Sequence, residues 1–205
     1  MAGLTGRKYE GKAARKLLLF IILLILAGAV FWTVRVRGSV VVHAGEDIKS
    51  GKETVFFRQD DERWAKEKLG NSRYIMESSG CLVCCITSAL VMGGKTDGTP
   101  LTINELFSGR NVYDSEGNIL WDNLQKAGDY ETEVFDGVDE EVLCECLQKG
   151  RYPIVRVRVN AVGNFHYVLI VRAQNGEFYC MDPLKEGERS LAEYGNRIYA
   201  VRCVS

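Results

Sequence analysis

An unbroken apolar run, LLLFIILLILAGAVFWTV at residues 17–34, constrains this chain more than any other feature. As a helix its eighteen residues rise about 27 Å against a bilayer hydrocarbon core of roughly 30 Å, so the segment is long enough to cross a membrane. Arg7, Lys8, Lys12, Arg15 and Lys16 precede it against one acid, Glu10, whereas Arg35 and Arg37 behind it are soon diluted by Glu46 and Asp47. This excess of positive charge on the leading side predicts a cytoplasmic basic tail over 1–16, a transmembrane signal-anchor helix over 17–34 and an exterior remainder. Small residues at Ala27-Gly28-Ala29 and Val42-His43-Ala44 leave a cleaved signal open as the alternative, with the same compartment for the rest of the chain.

Composition matters mainly for that remainder. With five of the 26 basic and one of the 27 acidic residues assigned to the inside, 21 basic and 26 acidic side chains stay outside, a net charge of −5. A mildly acidic domain lacks the cationic footprint of a nucleic-acid binder. Only 3 Pro, no low-complexity tract and no repeat at solenoid period exclude collagen-like, propeller and solenoid architectures. One globular domain over 54–205 is expected, joined to the membrane helix by a juxtamembrane spacer over 35–53 that mixes Gly, Ser and Lys without helical period.

Within 54–205 the first half reads as helical. Residues 54–57 suggest a short strand, and 60–69 suggest a helix around Trp64 closed by Gly70. CLVCCITSALVM at 81–92 is apolar nearly all round, the pattern of a helix buried at a domain centre, with Ser78, Ser79 and Gly80 at its start and Gly93-Gly94 at its stop. Residues 102–107, 118–127 and 139–148 each space apolar side chains three or four apart behind a capping-type residue. The second half reads as strands at 154–159, 165–171, 177–182 and 197–204. Helices followed by an antiparallel sheet define an α+β fold.

A thiol nucleophile needs a helix amino terminus, whose dipole favours the thiolate, and an imidazole to pair with it. Cys81 occupies that helix start, and Gly80 before it permits close approach of backbone or substrate. His166 is the one histidine between 54 and 205, at the start of a strand. Asp182, at the end of the next strand and followed by Pro183, is the simplest carboxylate to orient the imidazole. Gln59 is the candidate side-chain donor for an oxyanion hole, together with the Cys81 backbone N–H.

Register tests this set. A plain two-residue Asn175-Gly176 hairpin would set Asp182 opposite Leu169, on the face away from His166. A three-residue loop, or an equivalent bulge, would instead set it opposite Val168, diagonal to His166 on one face. The longer loop or its equivalent is therefore expected.

At these residues the chain resembles the papain-like cysteine peptidases, and most closely the bacterial group that includes double-glycine leader peptidases. The resemblance runs through FFRQDDERW, SSGCLVCCITSAL, NFHYVLIV and FYCMDPL, in the order Gln, Cys, His, Asp, and covers most of 54–205. It implies a papain-like fold, Gln59 as the oxyanion residue, Cys81 as nucleophile, His166 as general base and acid and Asp182 as its orienting partner. Many relatives have Gly-Pro after the cysteine where this chain has Leu82-Val83, and leader peptidases are usually fused to a transporter, which this chain does not show. The implied activity is hydrolysis of a peptide or protein substrate without metal or organic cofactor.

Other readings compete. Cys81 and Cys84 form a C-x-x-C at a helix start, as in thiol–disulfide oxidoreductases, although no βαβ pattern surrounds them. A catalytically inactive module that binds peptide or cell-wall material would keep the same fold, and acyl transfer to an amine would use the same residues. Setting Cys81 aside leaves six cysteines for disulfides of unassigned pairing, with Cys180 and Cys203 on strands as one candidate pair and free buried cysteines equally compatible. Zinc at Cys81, Cys84, Cys144 and Cys146 is disfavoured because helical neighbours two apart face different ways. Trp64 and Trp121 read as core anchors and His43 as a spacer residue.

Overall fold

The computed structural model describes residues 4–49, 51, 53–128, 130–135 and 137–205. They fall into two compact units, one ending at Gly38 and one spanning Ser39–Ser205. The first is helix α1, Leu4–Val36. Its stretch Ala14–Val36, about 34 Å long, can span a membrane, and its apolar side chains are exposed along their length. Of the tail expected over 1–16, residues 1–3 lie outside the described residues, and from Leu4 onward it is helical. The segment has no proline, and KAARKLLL is built from strong helix formers.

The second unit is mixed α+β. A two-stranded ribbon joins β1 (Val40–Val41) to β7 (Arg197–Ile198), and α2 (Met76–Ser79) leads into α3 (Cys81–Gly93). Helices α4 (Pro100–Gly109), α5 (Trp121–Ala127) and α6 (Glu140–Gln148) follow, with strand β2 (Thr132–Phe135) between the last two. Strands β3 (Ile154–Arg158), β4 (Phe165–Gln174), β5 (Glu177–Met181), β6 (Glu188–Ser190) and β8 (Ala200–Val204) complete an antiparallel sheet ordered β2-β8-β3-β4-β5-β6.

Local chemistry explains the helix ends. Thr99 and Thr102 cap α4 reciprocally with Pro100 in the first turn, and Asp139 accepts from the Val142 N–H at 2.9 Å to start α6. Left-handed Gly94 (φ 73°) stops α3, which is buried nearly all round from Val83 to Met92. Thr87, the polar residue at its centre, donates to the Val83 carbonyl at 2.8 Å. The helix lies on the sheet, and the Cys85 thiol reaches the Tyr167 carbonyl of β4 at 3.6 Å.

Three expectations are corrected. Residues 39–48 are part of the domain, not a spacer: besides the β1–β7 ribbon, Val42 is buried, and Ile48 exchanges two 2.9 Å backbone bonds with Ala173. His43 therefore also belongs to this unit, at an exposed position. Residues 54–57 join no ladder. Residues 60–69 form turns, not a helix, because the chain doubles back at Gly70 (φ 57°). The returning Met76 and Glu77 N–H groups then bond to the Glu67 and Ala65 carbonyls, so tertiary pairing overrides helix propensity. Trp64 is still a core anchor, edge-on to Phe57 at 6.0 Å and donating its indole N–H to Arg58 O at 2.7 Å.

Candidate active site

Two features of α2 and α3 set Cys81. Gly80 links the helices, and a β-carbon there would lie 2.6 Å from the Met76 carbonyl oxygen and 2.8 Å from its sulfur. The close approach that the glycine permits is thus to backbone. Cys81 opens α3 half-buried, at the wall of a cleft of about 790 Å³ that Gln59 and His166 also line. Aromatic side chains from separate elements, Tyr74, Tyr113, Trp121, Phe165 and Tyr167, form much of the remaining wall. Trp121 is half-buried against this cleft, not a fully buried anchor.

Strand register brings His166 and Asp182 together by the bulge route. Asn175 (φ 54°) and Gly176 (φ 81°) make a two-residue turn with both centres left-handed, pairing Gln174 with Glu177. Pairing continues through Arg172 with Tyr179 and then slips, so that Ile170 meets Cys180 and Leu169 meets Met181. Val171 is the extra residue. The next step of this register sets Asp182 across from Val168, diagonal to His166. The longer loop is not formed; the bulge supplies its missing residue.

His166 and Asp182 are buried, and the Asp182 carboxylate is bonded at both oxygens. His166 Nε2–H donates to Asp182 Oδ1 at 2.6 Å, which leaves Nδ1 as the other ring nitrogen, in a residue that lines the cleft together with Cys81. Asp182 also accepts from the Leu184 N–H at 2.8 Å and from the Tyr194 hydroxyl. Burial pulls the imidazole toward neutrality, but the hydrogen bond and charge of Asp182, with support from the neighbouring Cys81, outweigh burial and raise its pKa to about 9. Burial likewise works to raise the Asp182 carboxyl, yet His166, Tyr194 and Leu184 hold it below the ordinary carboxylate range. Burial, reinforced by Asp182, pushes the Tyr194 hydroxyl far up, so it remains a donor.

Gln59 is held from both ends of the site. Its backbone N–H donates to Pro183 O at 3.0 Å, next to Asp182, and its side-chain Nε2 donates to Glu77 O at 2.7 Å. That bond uses one of two Nε2 hydrogens, and Oε1 is buried without a partner among the described residues. The four residues singled out by sequence thus stand around one cleft, with Asp182 behind His166 and out of the cleft wall.

Tyr194 escaped the sequence reading. It ends a short 3-10 turn, Leu191–Tyr194, just after β6, an edge strand of three residues with no clear alternating pattern. The only local signal is the Gly195-Asn196 stop that follows, where both residues have positive φ. Cys180 and Cys203 are not neighbours; Cys203 faces Cys146, with the sulfurs 2.9 Å apart. No protein-family model matches the chain. No curated protein matches it either.

Proposed function

We propose that this chain is a membrane-anchored, papain-like cysteine peptidase whose catalytic domain lies outside the cytoplasm, with its amino terminus inside. The observation that carries the reading is the Cys81–His166–Asp182 array at an open cleft, with a buried imidazole hydrogen-bonded to Asp182, a bond that favours its protonated form. An imidazolium beside a thiol favours the thiolate, the form that attacks a carbonyl. The oxyanion formed would receive the remaining Nε2 hydrogen of Gln59 and the Cys81 backbone N–H, a donor set whose members are worth roughly 3 kcal/mol each in other acyl transfers. His166 then gives its proton to the leaving amine, Asp182 keeps the ring oriented, and water releases the acyl group through the same imidazole.

The oxidoreductase alternative fits less well. Cys84 lies in the core, and burial pushes its thiol well up, which suits packing rather than disulfide exchange with Cys81. Membrane attachment through α1 agrees with the length of its apolar stretch, and the basic tail supports the orientation.

Incubating the detergent-solubilised full chain with a proteome-derived peptide library and identifying new amino termini by mass spectrometry tests the activity. Termini produced by the native chain and absent with Cys81→Ala support hydrolysis. Added amine incorporated at the new carboxyl ends would indicate acyl transfer instead, and products identical to those of Cys81→Ala would reject catalysis.

A further inference from the structure

Of the seven cysteines, two meet outside the candidate active site. Cys146 on α6 and Cys203 on β8 are both 1% exposed, and their sulfurs face each other at 2.9 Å across 57 residues of chain. We propose that Cys146 and Cys203 form a disulfide in the folded domain, stapling α6 to the sheet and closing the segment that carries His166, Asp182 and Tyr194.

Geometry favours this pair alone. The sulfurs need to approach by less than about 1 Å to bond. Cys84, Cys85 and Cys180 are packed in the core, and Cys144 is half-buried two residues from Cys146 on another side of α6. Charge favours it too: the hydrogen bond from Cys203 and the nearby Arg151 guanidinium, 4.0 Å from the Cys146 sulfur, hold the Cys146 thiol below its ordinary range, while Cys203 keeps its proton. Arg151 is itself fixed by Glu133 of β2 at 2.6 Å, and Glu133 sits opposite Cys203 in the sheet.

Oxidation balances by thiol–disulfide exchange. As α6 docks, the Cys146 thiolate attacks a disulfide carried by an exterior thiol oxidant and releases one of its sulfurs as a thiol. Cys203, losing its proton, then displaces the second sulfur, so the Cys146–Cys203 bond forms while the oxidant's bond is reduced to two thiols. The inference rests on the exterior placement of the domain and not on peptidase activity, which plays no part in its test.

Full chain from host-cell membranes, precipitated in acid, alkylated under denaturing conditions without reductant and digested, reads the state directly by mass spectrometry. The expected result is a linked peptide pair, two hydrogens lighter than the sum of its parts, with fragmentation assigning the bond to Cys146 and Cys203 and Cys81 recovered alkylated. Separate alkylation of Cys146 and Cys203, or a bond at Cys144, overturns the proposal. Labelling of Cys81 in intact cells by a membrane-impermeant maleimide reports the exterior placement separately, and a domain that labels but holds two thiols at this pair rejects the disulfide itself. Reduction should lower the wild-type Tm by about 10 °C and leave a Cys146→Ala/Cys203→Ala chain unmoved; a wild-type Tm insensitive to reductant also overturns it.

Discussion

Replacing Asp182 with Asn keeps the side chain's shape and removes the charge that His166 Nε2, the Tyr194 hydroxyl and the Leu184 N–H all address. In the native protein the imidazole titrates at about 9 despite burial, because Asp182 and Cys81 both favour the imidazolium, and Asp182 supplies the stronger hydrogen bond as well as a charge. With burial undiminished and only Cys81 left in support, the His166 midpoint should fall well below its native value. At pH 8 the native imidazole is about 90% protonated, and each unit by which the midpoint then falls below that pH costs about tenfold in imidazolium. Any step that needs the proton of His166 should then slow at that pH and much less at pH 6. Stability follows the same titration. The folded value lies above the ordinary 6.5, so the proton bound by His166 contributes about 3 kcal/mol below pH 6.5 and this contribution fades as the pH rises through about 9. The assay is NMR titration of histidine-labelled full chain in micelles, where two imidazoles give signals and His166→Gln assigns one of them. A His166 midpoint near 6.5 in the native chain, or one that Asp182→Asn leaves unmoved, would refute the reasoning.

Two further perturbations probe what holds the array. Tyr194→Phe deletes the buried hydroxyl that donates to Asp182 and should cost about 2 kcal/mol in urea unfolding; unchanged stability would mean the bond contributes nothing. Gly80→Ala drives a β-carbon into the Met76 carbonyl and should destabilise by about 2 kcal/mol, because backbone must shift at the junction of α2 and α3. A tolerated alanine there would show that glycine is not required by close approach.

Legibility in the sequence followed the range of the interactions involved. The buried helix α3 and strands β3, β4 and β5 declared themselves because apolar periodicity reports burial directly, and Cys81, His166, Asp182 and Gln59 stood out by chemical type. The bulge at Val171 was accessible only through chemistry: regular pairing would have separated His166 from Asp182, so a register change was expected, although its place in the strand was not. What escaped depends on partners far away in the chain. Residues 39–48 look like a linker until Ile198, Asn196 and Ala173 are brought beside them, and 60–69 look helical until 75–77 return to pair with them. Tyr194 has no motif of its own, and Cys146 and Cys203 meet through the packing of a helix against the sheet, which no local pattern encodes.

The rate at which iodoacetamide alkylates Cys81 in the full chain at pH 7, compared with His166→Ala, tests the central claim most directly. An imidazolium-supported nucleophile in an open cleft should be modified selectively over half-buried Cys144, and about tenfold or more faster than in His166→Ala. Equal rates in the two proteins, with Cys81 no more reactive than Cys144, would contradict the account.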